Sequence, residues 1–141
     1  MSSDLKSALK VYENLCKFYG ITFNIEASKK FFSVRGYFEQ HNAFVAFDVT
    51  TKEVIGLAFS EMHHEETQET SGYIKLIYVE ENYRRQGIMT GLINACIDDF
   101  KNLNLDQVRI YLRNENLPYL SYYSEKLGFS PIITIVEKEL K

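Results

Sequence analysis

Apolar positions recur along the chain with two different periods, and they divide it into elements. Residues 4–19 carry Leu5, Leu15, Phe18 and Tyr19 among polar neighbours, which predicts an amphipathic helix ending near Gly20. "ASKKFFSVRGYFE" (27–39) reads as a second, shorter helix interrupted by Gly36. "AFVAFDV" (43–49) and "VIGLAFSEM" (54–62) are β-prone runs on either side of a polar turn, so they predict a hairpin. A polar loop, "HHEETQETS" (63–71), leads to a third strand, "GYIKLIYVE" (72–80), whose apolar run is interrupted by Lys75.

The strongest helical stripe follows. Ile88, Met89, Leu92, Ile93, Cys96, Ile97 and Phe100 recur at spacings of three and four, with Asn94, Asp98 and Asp99 off the stripe. "DQVRIYLR" (106–113) alternates Val108, Ile110 and Leu112 against Arg109, Tyr111 and Arg113, the signature of a strand. Asn116 is placed to cap a last helix, with Pro118 in its first turn and Gly128 as a left-handed C′ residue. "SPIITIVEKEL" then closes the chain as a strand. A meander of strands followed by strand–helix–strand crossovers predicts an α+β fold with helices on the faces of one sheet.

Composition narrows the partners. The 141 residues fit a single domain spanning 1–141, with no repeat, linker or low-complexity tract. A net charge of −3 gives no general attraction to nucleic acid or to an anionic membrane. Cys16 and Cys96 both fall in helical stretches and read as buried thiols, not as a disulfide framework. The N-terminal stretch has no apolar run of the kind a signal peptide or membrane span needs, so a cytoplasmic location is expected.

One stretch resists a purely structural explanation. "RRQGIM" puts two arginines, a glutamine and a glycine directly before the amphipathic helix, where a Ser, Thr, Asp or Asn cap is usual. Cations there oppose the helix dipole unless an anion is present. The first N–H groups of a helix lack internal partners, and a glycine lets a ligand approach the main chain closely. The expected ligand is therefore a phosphate, held by main-chain amides with help from Arg84, Arg85 and the Thr90 hydroxyl. Neither a Walker P-loop nor a dinucleotide glycine pattern is present.

"IYVEENYRRQGIMTGLI" resembles the acetyl-CoA motif of the GNAT N-acetyltransferase superfamily. Ile77, Tyr78 and Val79 match the strand end, and Arg84, Arg85, Gln86 and Gly87 match the turn. Met89 departs from the family's usual Gly or Ala, yet main-chain donation does not depend on that side chain. "NLPYLSYYSEKLGFSPI" resembles the family's second signature, and the two motifs stand in the family's order.

The resemblance implies a mixed, mainly antiparallel twisted sheet flanked by about four helices. It implies acetyl-CoA as co-substrate, bound by Ile77, Tyr78, Val79, Arg84, Arg85, Gln86, Gly87, Ile88, Met89, Thr90 and Asn116. It also implies direct attack by a primary amine of a small molecule or peptide on the thioester. An acid on the last helix would be Tyr123, counting from Asn116, or Ser124, counting back from Gly128. Glu61 is the preferred base, with His63 and Tyr73 behind it; period-two counting puts Tyr73 on the face of Val79.

"HHEE" (63–66) lacks the i, i+4 helical spacing of a zinc site, so no metal is expected. The family builds its acceptor site from the first two helices and their loop, here 15–40, where aromatics accompany Glu26 and Glu39. Homodimers are frequent in the family. Two other readings stay open: a regulatory or partner domain that binds acetyl-CoA without turnover, and acetylation of aminoacylated tRNA, against which the net negative charge argues.

Overall fold

The computed structural model describes residues 3–33 and 41–141, and the side chains of 5–29 and 42–141. It falls into two compact units, Met1–Tyr111 and Leu112–Lys141. In the first unit, helices α1 (Ser3–Tyr19) and α2 (Ile25–Ser33) precede strands β1 (His41–Asp48), β2 (Glu53–His64) and β3 (Thr70–Val79). A 3-10 turn at Glu81–Tyr83, helix α3 (Ile88–Asn102) and strand β4 (Gln107–Ile110) follow. The rest of the expected second helix, residues 34–39 with Gly36, lies outside the described residues.

The sheet order is β1-β2-β3-β4, antiparallel except for the parallel β3–β4 pair. The parallel pair is joined through α3, as such pairs must be joined by a crossover. On one face, α1 inserts Ala8, Val11, Leu15 and Cys16 among Val54, Leu57, Phe59 and Tyr78. On the other, α3 buries Leu92, Ile93, Cys96 and Phe100, the middle and end of its predicted stripe. Gly72 of β3 lies so close to the Phe100 ring that an added Cβ would collide with it.

Two irregularities shape the sheet. Phe59 pairs with Leu76 but Ser60 pairs with Ile74, so Lys75 is a bulge residue with no partner on β2. The bulge flips the alternation of β3. Tyr73 therefore shares a face with its partner Glu61, whereas Val79 pairs with Gly56, whose missing side chain would meet Leu92 of α3. The expectation that Tyr73 and Val79 share a face is thus corrected, because one extra residue breaks a period-two count. A second shift, between Ala46 and Phe47, leaves Ile55 out of the β1 ladder.

In the second unit a 3-10 helix, Asn114–Tyr119, runs directly into α4 (Leu120–Glu125). Asn116 does not cap that helix: its own N–H donates to the Arg113 carbonyl (2.8 Å) inside the 3-10 turn. Pro118 explains the change, since its ring disfavours α geometry at Leu117 and delays the α-helix until the proline is passed. Gly128 takes the left-handed conformation expected of it (φ 77°), and Phe129 N–H reaches back to the Tyr123 carbonyl (3.0 Å). The closing strand expected at 130–140 does not form. That stretch has no ladder partner among the described residues, and Ile132, Ile133, Ile135 and Val136 are exposed. β-propensity alone does not make a strand without an edge to pair with.

Candidate active site

The segment after β3 is built to present main-chain donors. Gly87, at the N-cap of α3, is left-handed (φ 82°) and offers no side-chain cap hydrogen bond. Arg85 is also left-handed (φ 64°), an uncommon conformation for a residue with a Cβ. Strain of this kind persists where the surroundings over-determine it, commonly at ligand sites. Gly91 N–H closes the first helical hydrogen bond to the Gly87 carbonyl (3.0 Å). Gln86 and Gly87 are exposed and Ile88, Met89 and Thr90 half-buried, with nothing within 4 Å of the position a Cβ on Gly87 would take. These features fit a diphosphate, which needs a concave set of donors and open space.

Three ties hold this turn. Asn14 of α1 donates to Glu80 (2.8 Å), and the Tyr83 hydroxyl donates to Asp48 in the β1–β2 turn (2.8 Å). Arg84 makes the third: its Nε donates to the Val79 carbonyl (2.9 Å), and its guanidinium carbon sits 5.3 Å and 5.4 Å from the rings of Phe18 and Tyr78. Arg84, expected to bind the phosphate directly, spends its Nε and its flat face on the fold itself.

The end of β3 also has an open side. Glu80 N–H donates to Ile55 of β2, so by alternation Ile77 and Val79 turn their main chain away from β2. The β3–β4 ladder covers only Ser71–Ile74, with one further bond from Tyr111 N–H to the Ile74 carbonyl (3.0 Å). The Ile77 carbonyl accepts the Tyr19 hydroxyl (2.9 Å) and the Val79 carbonyl accepts Arg84. Tyr78 faces α1, and burial pushes its phenol pKa up.

At the other end of the sheet, on the face α1 covers farther along, a polar cluster forms. His63 Nε2 lies 2.6 Å from Glu61 Oε2, and Lys75 Nζ lies 3.9 Å from the same oxygen. Lys75 Nζ also sits 4.1 Å above the Tyr111 ring, a cation–π geometry. The Tyr73 hydroxyl donates to Glu65 and accepts from Arg109 (2.8 Å), and its ring touches those of His63 and Tyr111. The Tyr73 hydrogen bond lowers the Glu65 pKa, while burial raises that of Tyr73. Arg109 Nε is buried without a protein partner among the described residues.

Glu61, His63 and Tyr73, three separate candidates for the base, lie together in this cluster, and Lys75, Glu65, Arg109 and Tyr111 were not foreseen beside them. Their signals were in the sequence: Lys75 interrupts an apolar run, and Arg109 and Tyr111 lie on the polar side of an alternating strand. In the second unit, Tyr123 is 2% exposed and packs against Tyr122 and Phe129, and Ser124 beside it is half-buried. Of the aromatic residues expected around the acceptor, Phe18 is exposed beneath Arg84 and Phe23 packs on Tyr12. The side chains of Phe31, Phe32, Tyr37, Phe38 and Glu39 lie outside the described residues. No described helix is long and apolar enough to cross a membrane.

A strand end, a left-handed turn and a helix are thus set in a mostly antiparallel sheet with helices on both faces. The model of the acetyltransferase (GNAT) family matches residues 8–129, and the chain belongs to that family. It is 37% identical over 62 residues to an N-alpha-acetyltransferase of Saccharolobus solfataricus, a match covering 43% of this chain and 36% of that protein. It is 36% identical over 58 residues to N-alpha-acetyltransferase 30 of Schizosaccharomyces pombe, covering 41% of this chain and 38% of that one. The chain thus spans little more than a third of each of these curated relatives. Solved structures share the fold: a probable acetyltransferase superposes with a TM-score of 0.77 at 19% identity, covering 97% of this chain and 91% of the other. The ribosomal-protein-alanine N-acetyltransferase of Brucella melitensis gives 0.74 at 14% identity, covering 96% and 94%.

Proposed function

We propose that this chain is an acetyl-CoA-dependent N-acetyltransferase that passes the acetyl group to a primary amine by direct attack. The observation that carries the reading is the left-handed Gly87 turn at the end of the open β3 edge. Amides of residues 85–89 hold the diphosphate, and the Ile77 and Val79 main chain lines the pantetheine arm. Glu61, paired with His63, takes a proton from the acceptor ammonium, so that the neutral amine attacks the thioester carbonyl. An N–H of the open edge stabilises the charge that develops on the carbonyl oxygen. Tyr123 is assigned the proton given to the departing thiolate.

Acceptors come first from the relatives' names: peptides with a free α-amino group, then small-molecule amines. Coenzyme release across such a panel, read with a thiol reagent, tests the proposal, with calorimetry against coenzyme A as the binding control. Binding with release on none of the amines supports the alternative of a non-catalytic acetyl-CoA-binding domain. The burial of Tyr123 among aromatic rings favours that alternative. No heat with coenzyme A removes both readings.

A further inference from the structure

The cluster at Glu61 already holds a primary amine of the protein's own. Lys75 is the bulge residue of β3, the first residue past Ile74, where the bond from Tyr111 closes the parallel ladder. Its ammonium lies 3.9 Å from the Glu61 carboxylate and 4.1 Å from the Tyr111 ring centre. A carboxylate to take a proton and an aromatic face to seat a cation are what an acceptor ammonium needs. The side chain is 30% exposed, so it is held in place but not sealed from solvent.

We infer that Lys75 is a self-acetylation site: the chain transfers an acetyl group from acetyl-CoA to its own Lys75 within one molecule. The inference rests on the proposed acetyl-CoA chemistry and adds a substrate to it. Glu61 takes one proton from the Lys75 ammonium. The freed lone pair forms the N–C bond to the thioester carbonyl, and the C–S bond breaks with its electron pair leaving on sulfur. The second nitrogen proton passes to solvent or to the thiolate, giving acetyl-lysine, coenzyme A thiol and one net proton. The product no longer carries the charge that binds Lys75 to Glu61 and to the Tyr111 ring, so the seat opens to an external cationic amine.

The test is peptide mass spectrometry over time, on the full chain incubated with acetyl-CoA. Acetyl-Lys75 is expected to appear ahead of acetylation at Lys17, although the Lys17 side chain is far more exposed (72%). The rate constant should not depend on protein concentration. Glu61→Gln should slow labelling at Lys75 by about a hundredfold, with labelling at Lys17 unchanged. Lys75→Arg keeps the charge and should remove the mark while coenzyme A still binds by calorimetry. Lys17 labelled as fast as Lys75, or coenzyme binding with no acetyl-Lys75, overturns the inference and leaves the proposed function standing. Absence of coenzyme binding overturns the proposed function itself.

Discussion

Gly87 and Cys96 show how single residues decide what the molecule can do. A methyl group on Gly87 would meet nothing within 4 Å, so Gly87→Ala is disfavoured only by its left-handed backbone. That costs about 1–2 kcal/mol, and coenzyme binding should weaken but survive. Gly87→Asp adds a negative charge where the diphosphate is proposed to sit, and calorimetry should detect no coenzyme A binding. Normal affinity in that variant would place the anion elsewhere. Cys96 is fully buried, and burial pushes its thiol up to about 12; Cys16 is pushed up for the same reason. Both thiols should stay silent to a thiol reagent at neutral pH until the protein is unfolded, since the thiolate is the reactive form. Any signal in the release assay then comes from coenzyme A. Tyr123→Phe should lower turnover by about a hundredfold with the KM for acetyl-CoA unchanged; an unaltered rate would make Tyr123 a packing residue only.

At the scale of elements, α3 and β3 depend on each other through the close approach of Gly72 to Phe100. Gly72→Ala should force the helix and strand apart, an overpacking cost of about 2 kcal/mol. A lower urea midpoint with unchanged slope would report it. Most of the elements were legible in the sequence because their periods are long and regular. The α3 stripe from Leu92 to Phe100 and the turn at Gly87 needed only local chemistry. What stayed hidden was non-local. The Lys75 bulge is defined by pairing with Phe59 and Ser60, so counting along one strand put Tyr73 on the wrong face. The Glu65–Tyr73–Arg109 chain joins a loop and two strands, with Tyr73 and Arg109 separated by 36 residues. "IITIV" has the composition of a strand, but pairing belongs to two segments and composition to one. The rings of Phe18 and Tyr78, which hold Arg84, come from α1 and β3 and could not be read from the turn itself.

Across the first unit, two carboxylates fasten opposite ends of the sheet. Asp48 accepts from the Tyr83 hydroxyl and from the amides of Thr50 and Thr51, tying the β1–β2 turn to the segment that leads into the Gly87 turn. Glu65 accepts from Tyr73, tying the β2–β3 loop to the cluster around Glu61. The Tyr83 hydrogen bond holds Asp48 below its ordinary pKa, and the Tyr73 hydrogen bond does the same for Glu65. A carboxylate held lower in the folded state than in the unfolded one favours folding wherever it is ionised in both. That contribution is complete above the unfolded values, about pH 4, and disappears as pH falls through the lower folded ones. The melting temperature should therefore hold from neutral pH to about pH 5 and then drop. In Asp48→Asn with Glu65→Gln, the drop should be shallower and the neutral-pH melting temperature lower. The two bonds anchor the end at the Gly87 turn and the end at the Glu61 cluster, so acid should loosen both before it unfolds the core of Leu15, Leu57 and Ile93. Amide hydrogen exchange at pH 4 should show early protection loss at residues 48–52 and 65–69, with β2 and α3 still protected. Uniform loss across the sheet would mean that these carboxylates are surface ornaments and that acid acts on the core directly.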